Sequence, residues 1–456
     1  MQTFRTSIRT LILAALVTGC LPACRGEFQS NNGSGGPNDA SVSPKSEVGY
    51  DAGPNDAALD NGVPTDTGSG DLANDGGSIN NAVPDVSQPD VSEPPVDLGS
   101  CGGAGFGEAF DVVGVAGTTA SGRIFAAPMT GGGAILGWTG GGSVHVTHVD
   151  AAGNNLADFP VAGAEIFGLA AHDAGRAVLV SRSPDILALV ILDPNGGVVS
   201  DQVVIGDVPH DVTENEWFGP LIRHGRLIWT GSDWAAYYPV QRLWNDGIAH
   251  YGDQLRVYAA DGASYQTVWS WGCSHSMDLR LAHNGDRLGA VCSSDCYPSK
   301  GVHFNHRGGE LWPDNSGSNC AGGFGTSVGA SVAFPGGFWV AFTARDQRNS
   351  ADVAIVRVDG TNPKTPVWLT ADDTDDTALN AVTFEDDLLV AWDGTAGNQF
   401  VLADRASGAV IEGPVNVAAA QLGGSSDFFE FANGDVGWAQ RAADGSLGLA
   451  RLRACR

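Results

Sequence analysis

The chain has 456 residues, with 52 acidic against 24 basic side chains and a formal net charge of −28. That balance excludes nucleic acid and anionic lipid headgroups as partners, because both are gripped by Lys and Arg clusters that this chain lacks. The length leaves room for one large domain with an appended segment.

At the N-terminus, Arg5 and Arg9 precede the apolar run Leu11 to Val17, which is followed by small residues and then Cys20. A charged region, a short apolar region and a small-residue cleavage site make an export signal. The run is shorter than the roughly 20 apolar residues that span a bilayer. Leu16-Val17-Thr18-Gly19-Cys20 resembles the lipobox of bacterial lipoproteins. The resemblance implies that residues 1–19 are a signal peptide, cut before Cys20, and that Cys20 carries the lipids. In that family an aspartate after the cysteine favours the inner membrane. Leu21 stands there, so the implied destination is the outer membrane of a two-membrane bacterium, with lipid as the only anchor. Leu21-Pro22-Ala23-Cys24 is a weaker competing site, because proline crowds the cleavage region.

Residues 20–100 form the lipidated N-terminus and a linker of Asp, Asn, Gly, Ser, Pro and Ala. From Arg25 to Ser100, 13 acidic residues face only Lys45 and Arg25, and the aromatics are Phe28 and Tyr50. So little apolar surface cannot offset the chain entropy lost on folding, so a disordered tether is expected.

Residues 101–456 read as a single all-β domain. A polar turn followed by an apolar β-rich strand recurs seven times: at Gly131–Gly133, Asp173–Gly175, His224-Gly225, Asn284–Asp286, Pro335–Gly337, Glu385–Asp387 and Asn433–Asp435. The spacings between turn centres are 42, 51, 60, 51, 50 and 48 residues. A second series of turns follows about twenty residues later, as at Asp150–Gly153, Asp193–Gly196 and Asp404–Gly408. Two hairpins per unit give four strands, and such units repeated every 40–50 residues indicate a β-propeller. Seven first turns predict seven blades, with a pair of sandwiches or a β-helix as the alternative. Only two strands fit after the last first turn, so Phe110–Val115 is expected to complete the seventh blade and remove an open sheet edge.

Six cysteines fall in this domain: Cys101, Cys273, Cys292, Cys296, Cys320 and Cys455. An even number in an exported domain points to disulfides. Cys101 and Cys455 are expected to clamp the ring closure. The four central cysteines admit three pairings that sequence does not separate. With His275 or His303 they also match the ligand types of zinc or copper, but oxidising surroundings favour disulfides, so no metal is expected there.

Ligands of propellers usually meet the face whose loops lead into the inner strands. Three segments gather there in the third and fourth units: His210, Asp211, Glu214, Glu216 and Trp217; the insertion Gly231 to Tyr251, with Trp234, Tyr237, Tyr238, Trp244 and His250; and Trp269 to Asp278, with Trp271 and His275. Aromatic rings beside carboxylates suit a carbohydrate or a peptide. The competing reading is that these rings fill the channel mouth. Carboxylate pairs such as Asp211 with Asp278, or Glu214 with Glu216, have the composition that glycoside hydrolysis requires. The Ser-x-Asp-x-Gly-x-Thr-Trp box of sialidases is missing, as are the Gly-x-Ser-x-Gly and His-Glu-x-x-His motifs. Asp372, Asp373, Asp375 and Asp376 offer calcium ligands without the glycine and closing glutamate of an EF-hand, which favours a solvated turn. The sequence therefore favours a monomeric, non-enzymatic binding or scaffolding propeller for a glycan or protein, with a secreted polysaccharide hydrolase as the alternative.

Overall fold

The computed structural model describes residues 109–454, apart from 207, 220–224, 275–277, 306–308, 316–319, 321–324, 346–348, 361 and 424. Among the described residues every regular element of length is a β-strand, and the strands form seven antiparallel sheets. The sheets cover 124–161, 165–205, 216–269, 279–313, 326–368, 377–416 and 429–452, here blades 1 to 7 in chain order. Inner strands of successive blades touch one another, and that of blade 7 returns to blade 1. The fold is a seven-bladed β-propeller.

Strand Phe110–Val115 is the outermost strand of blade 7, pairing antiparallel from Phe110 opposite Leu452 to Val115 opposite Leu447. Phe110 stacks on Trp438 at 5.4 Å, and Arg453 pairs with Asp111 at 2.5 Å. The expected closure is therefore present. Cys101 and Cys455 lie outside the described residues, as do Cys20 and the linker.

The Asp-x-x-Gly turns show why the repeat is readable. The Asp150 carboxylate accepts hydrogen bonds from the backbone N–H groups of Ala152 and Asn154 at 2.9 and 2.8 Å. Gly153 takes φ 79°, a conformation that L side chains avoid. A Cβ at Gly153 would also sit 2.2 Å from Val113 in the closing strand, so this glycine lets blade 1 approach the strand that seals the ring.

Blade 3 corrects the sequence reading. Arg226–Trp229, expected to follow a first turn at His224-Gly225, is instead part of the inner strand, and its turn into the second strand is at Gly231. Placing the turn centre there changes the neighbouring spacings from 51 and 60 to 57 (231 − 174) and 54 (285 − 231). The inner strand is interrupted: Glu216–Phe218 pairs with Val240–Arg242, and Arg226–Trp229 pairs with Trp234–Tyr237. Gly225 at the resumption of a broken strand imitates a hairpin turn, which caused the slip.

The stretch read as an insertion is consequently two 11-residue strands, Asp233–Leu243 and Ala249–Ala259, joined by a short turn. Trp234 and Tyr238 face blade 2, in a core with Phe167, Leu189 and Phe218. Tyr237 faces blade 4, with Leu255, Leu279 and Cys292. A strand buried on both faces shows no apolar–polar alternation, so the run Trp-Ala-Ala-Tyr-Tyr hides its period. Pro239 falls between the two paired segments, with no inner-strand partner among the described residues.

Candidate functional site

Two places concentrate chemistry: a rim on blade 3 and the central channel.

The rim is built by the long hairpin of blade 3, whose tip projects where the second strand turns into the third. The tip is closed by Trp244 N–H donating to Ile248 O at 3.1 Å and Ile248 N–H donating to Asp246 Oδ1 at 2.8 Å. His250 is held by Asp246 at 2.9 Å and stacks on Trp244 at 4.2 Å. Trp271, on the segment leading into blade 4, lies 5.5 Å from Trp244, and the Arg242 guanidinium sits over its ring at 5.2 Å. Arg242 also pairs with Glu216 and, at 3.4 Å, with Glu214. Burial pulls the Arg242 guanidinium below its ordinary range, and Glu214 opposes that pull. Trp217 donates from Nε1 to Gln241 at 2.8 Å and stacks beneath His210 at 4.3 Å. Ile248 at the tip is 59% exposed, an apolar group left in water beside the stacked rings.

The segment carrying Trp271 is held from below by one buried carboxylate. Asp253, fully buried, accepts from Trp269 Nε1 at 3.0 Å and from the Cys273 N–H at 3.1 Å. Burial pushes its pKa up to about 7, and these hydrogen bonds with the adjacent Tyr237 oppose the rise. The Tyr237 hydroxyl itself reaches no hydrogen-bonding geometry with a described atom. Cys273 is joined to Cys292, and Cys296 to Cys320. Both bridges lie on the rim side of blade 4, and the loops of 19 and 24 residues that they close are each worth about 3 kcal/mol in the chain-entropy model.

Of the expected rim residues, the structure gathers Glu214, Glu216, Trp244, His250 and Trp271 around Arg242, and separately stacks His210 on Trp217, whose register partner Gln241 alternates with Arg242. Trp234, Tyr237 and Tyr238 are 0% exposed core residues between blades, so they cannot present a surface, and their placement on a rim loop is corrected. Asp211 is exposed. Asp278 accepts from Ser327 of blade 5 at 2.7 Å, away from the hairpin tip. His275 lies outside the described residues. Arg242 escaped the sequence reading although it is the centre of the cluster.

The cysteine–metal alternative has its geometric counterpart in Asp253, Cys273 and Cys292, whose ligand atoms fall within 4.8 Å of one another. Two sulfurs bonded to each other are not thiolate ligands, so the trio describes a bridge beside a carboxyl. His303 is spent on the Ser299 carbonyl at 2.8 Å, and burial lowers its pKa. The acidic turn on blade 6 is brought together only in part. Asp376 accepts from Thr370 at 2.6 Å, and its pKa rises to about 6 through burial, then through Asp372 and Asp352 nearby. Asp375 instead pairs with Arg345 at 2.5 Å, and Asp373 is exposed.

The central channel contains a cavity of about 320 Å³. Its walls mix polar and apolar surface, with Phe125, Leu169, Ile228, Trp229 and Phe428 among the apolar residues and Ser331 among the polar ones. Arg226, Arg280 and Asp427 provide its charge. Arg226 grips Asp427 through Nε at 2.6 Å and Nη2 at 2.8 Å, and Arg280 Nε stands 3.4 Å from the same carboxylate.

No protein-family model matches the chain, and no curated protein matches it. Among solved structures, the Dos1 propeller is similar over 70% of this chain and 75% of its own, at 14% identity and a TM-score of 0.42. The PQQ-bound aldose sugar dehydrogenase from Streptomyces coelicolor aligns over 75% and 98%, at 12% identity and 0.34. A subtype N10 neuraminidase-like protein of A/little yellow-shouldered bat/Guatemala/060/2010 aligns over 75% and 97%, at 12% and 0.38. The propeller assignment rests on the strand pairing above; at these values the likenesses add nothing on activity, substrate or partner.

Proposed function

We propose that this chain is a lipid-anchored binding protein of the cell envelope, with Cys20 as the lipidated residue and residues 20–100 as the tether. The blade 3 rim meets a carbohydrate or a peptide. The observation that supports binding over hydrolysis is the position of Arg242. Glycosidases place two carboxylates on either side of a scissile bond, one to give a proton and one to attack or activate water. Here Glu214 and Glu216 converge on one guanidinium, which consumes their charge in an ion-paired network. What remains toward solvent is a set of stacked rings, the Arg242 face and the exposed Ile248. Stacking rings with hydrogen-bonding edges hold a sugar face or an extended peptide. For polysaccharide hydrolysis, the alternative, Glu216 would have to leave Arg242.

The test is a glycan and peptide array probed with the full-length Cys20→Ser protein and with its Trp244→Ala, Trp271→Ala double variant. An aromatic anchor is worth about 2 kcal/mol or more, so affinity should fall roughly thirtyfold. Equal binding by a folded double variant would mean that the rings serve packing alone.

A further inference from the structure

We propose that the central channel is a second site, distinct from the blade 3 rim, that binds a small organic carboxylate with an apolar body. Within the cavity lining two guanidiniums share one carboxylate, Asp427. Arg226 is 4% exposed and fully engaged: Nε and Nη2 on Asp427, and Nη1 on its neighbour's carbonyl, Gly225 O, at 2.8 Å. Arg280 is 8% exposed; its Nε donates to Gly329 O at 2.5 Å and its Nη1 to Leu279 O at 2.9 Å. Its Nη2 has no hydrogen-bond partner among the described residues, although the side chain lines the cavity.

The remaining guanidinium nitrogen, Nη2, can donate a charge-assisted hydrogen bond to a carboxylate oxygen. Arg280 Nη2 is not among the buried atoms without a partner, so it is open to the cavity and available to an anion there. Among the described residues, the other carboxylate acting on Arg280 is Asp278, which is outside the lining and accepts from Ser327. Burial first, then the Arg226 charge, pull the Arg280 pKa down to about 10 against Asp427 and Asp278, so its surroundings under-compensate the cation. The rest of the wall sets the ligand's body. Ile228 and Trp229 are the half-buried apolar residues of the wall, Phe125, Leu169 and Phe428 border it from the hydrophobic packing, and the Ser331 hydroxyl, which donates to Gly289 O at 3.0 Å, keeps its oxygen as an acceptor. The volume lies at the lower end for small-molecule pockets, which excludes polymers and favours a compact acid.

The probe is benzoate, with the isosteric neutral benzamide as control, titrated calorimetrically into the full-length protein in detergent. Benzoate should bind saturably with one equivalent, and benzamide at least about tenfold more weakly, the loss of roughly one charge-assisted hydrogen bond. Arg280→Gln should show the same loss for benzoate. Should that variant fail to fold, photolabelling of the unaltered protein with 4-azidobenzoate decides, and the label should map to the channel peptides holding Phe125–Pro128 or Ile228–Trp229. No saturable benzoate binding up to about 10 mM, well above the range of specific small-ligand affinities, would overturn the proposal. So would equal affinity for benzamide, unchanged binding by folded Arg280→Gln, or label confined to the outer surface.

Discussion

Replacing Asp253 with Asn should make the protein more stable in alkaline buffer and flatten its pH dependence. In the folded protein burial raises the Asp253 carboxyl to about 7, whereas the unfolded chain leaves it near 3.8. The folded state therefore holds a proton that the unfolded state has lost throughout that interval. Stability from this group is greatest in acid and declines as pH rises to about 7, then stays level. At 1.36 kcal/mol per pH unit, the wild-type protein should lose about 2 kcal/mol between about pH 5.5 and about pH 8.5 through Asp253 alone. Asp376, raised to about 6, adds a smaller loss of the same sign, so the comparison with Asp253→Asn isolates the first residue. Asn keeps one oxygen for Trp269 or Cys273 and carries no charge to bury. Urea unfolding of the full-length Cys20→Ser protein and its Asp253→Asn derivative, at three pH values across that interval, measures the difference. Parallel pH profiles for the two proteins would refute the reasoning, because they would mean that Asp253 is ionised without cost beneath the rim.

Trp234→Ala should cost about 3–5 kcal/mol in urea unfolding, as expected for a large ring removed from a core; a loss within about 0.5 kcal/mol would return Trp234 to the surface. Cys20→Ser should move the protein from the membrane to the soluble fraction of fractionated cells, and retention at the membrane would contradict the lipobox reading. Non-reducing peptide mapping should recover a peptide joining Cys101 to Cys455; a link from either to one of the four central cysteines would break the proposed clamp.

The ring was legible because its turns advertise themselves. Asp-x-x-Gly and Asn-Gly-Asp are local chemistry, each satisfied within four residues, so their periodicity survives in sequence. The closing strand could be found by counting, since a blade one strand short needs a donor. Blade 3 was misread for a physical reason: burial on both faces erases alternation, and a broken inner strand places a turn-like Gly225 where no hairpin lies. The rim aromatics were half right, because the same run of rings supplies both core (Trp234, Tyr237 and Tyr238) and, a few residues later, surface (Trp244). The charges at the rim and in the channel leave a fainter mark in the sequence. Arg280 inside Leu279-Arg280-Leu281, and Arg226 opening Arg226-Leu227-Ile228, are cations in apolar strands, the sequence mark of inward-facing charge. Their partner Asp427 is 201 residues from Arg226, a separation that no local pattern bridges. The four central cysteines were likewise placed on one side, while the choice of partner depended on three-dimensional register.

The central claim, that the rim binds its ligand without converting it, is tested most directly by incubating the strongest array ligand with the Cys20→Ser protein. Bound and free ligand are then recovered for mass spectrometry. Saturable binding with the ligand recovered intact, weakened by the Trp244→Ala, Trp271→Ala change, is the expected result. Progressive release of shorter fragments by the unaltered protein, abolished by Glu216→Gln, would contradict it.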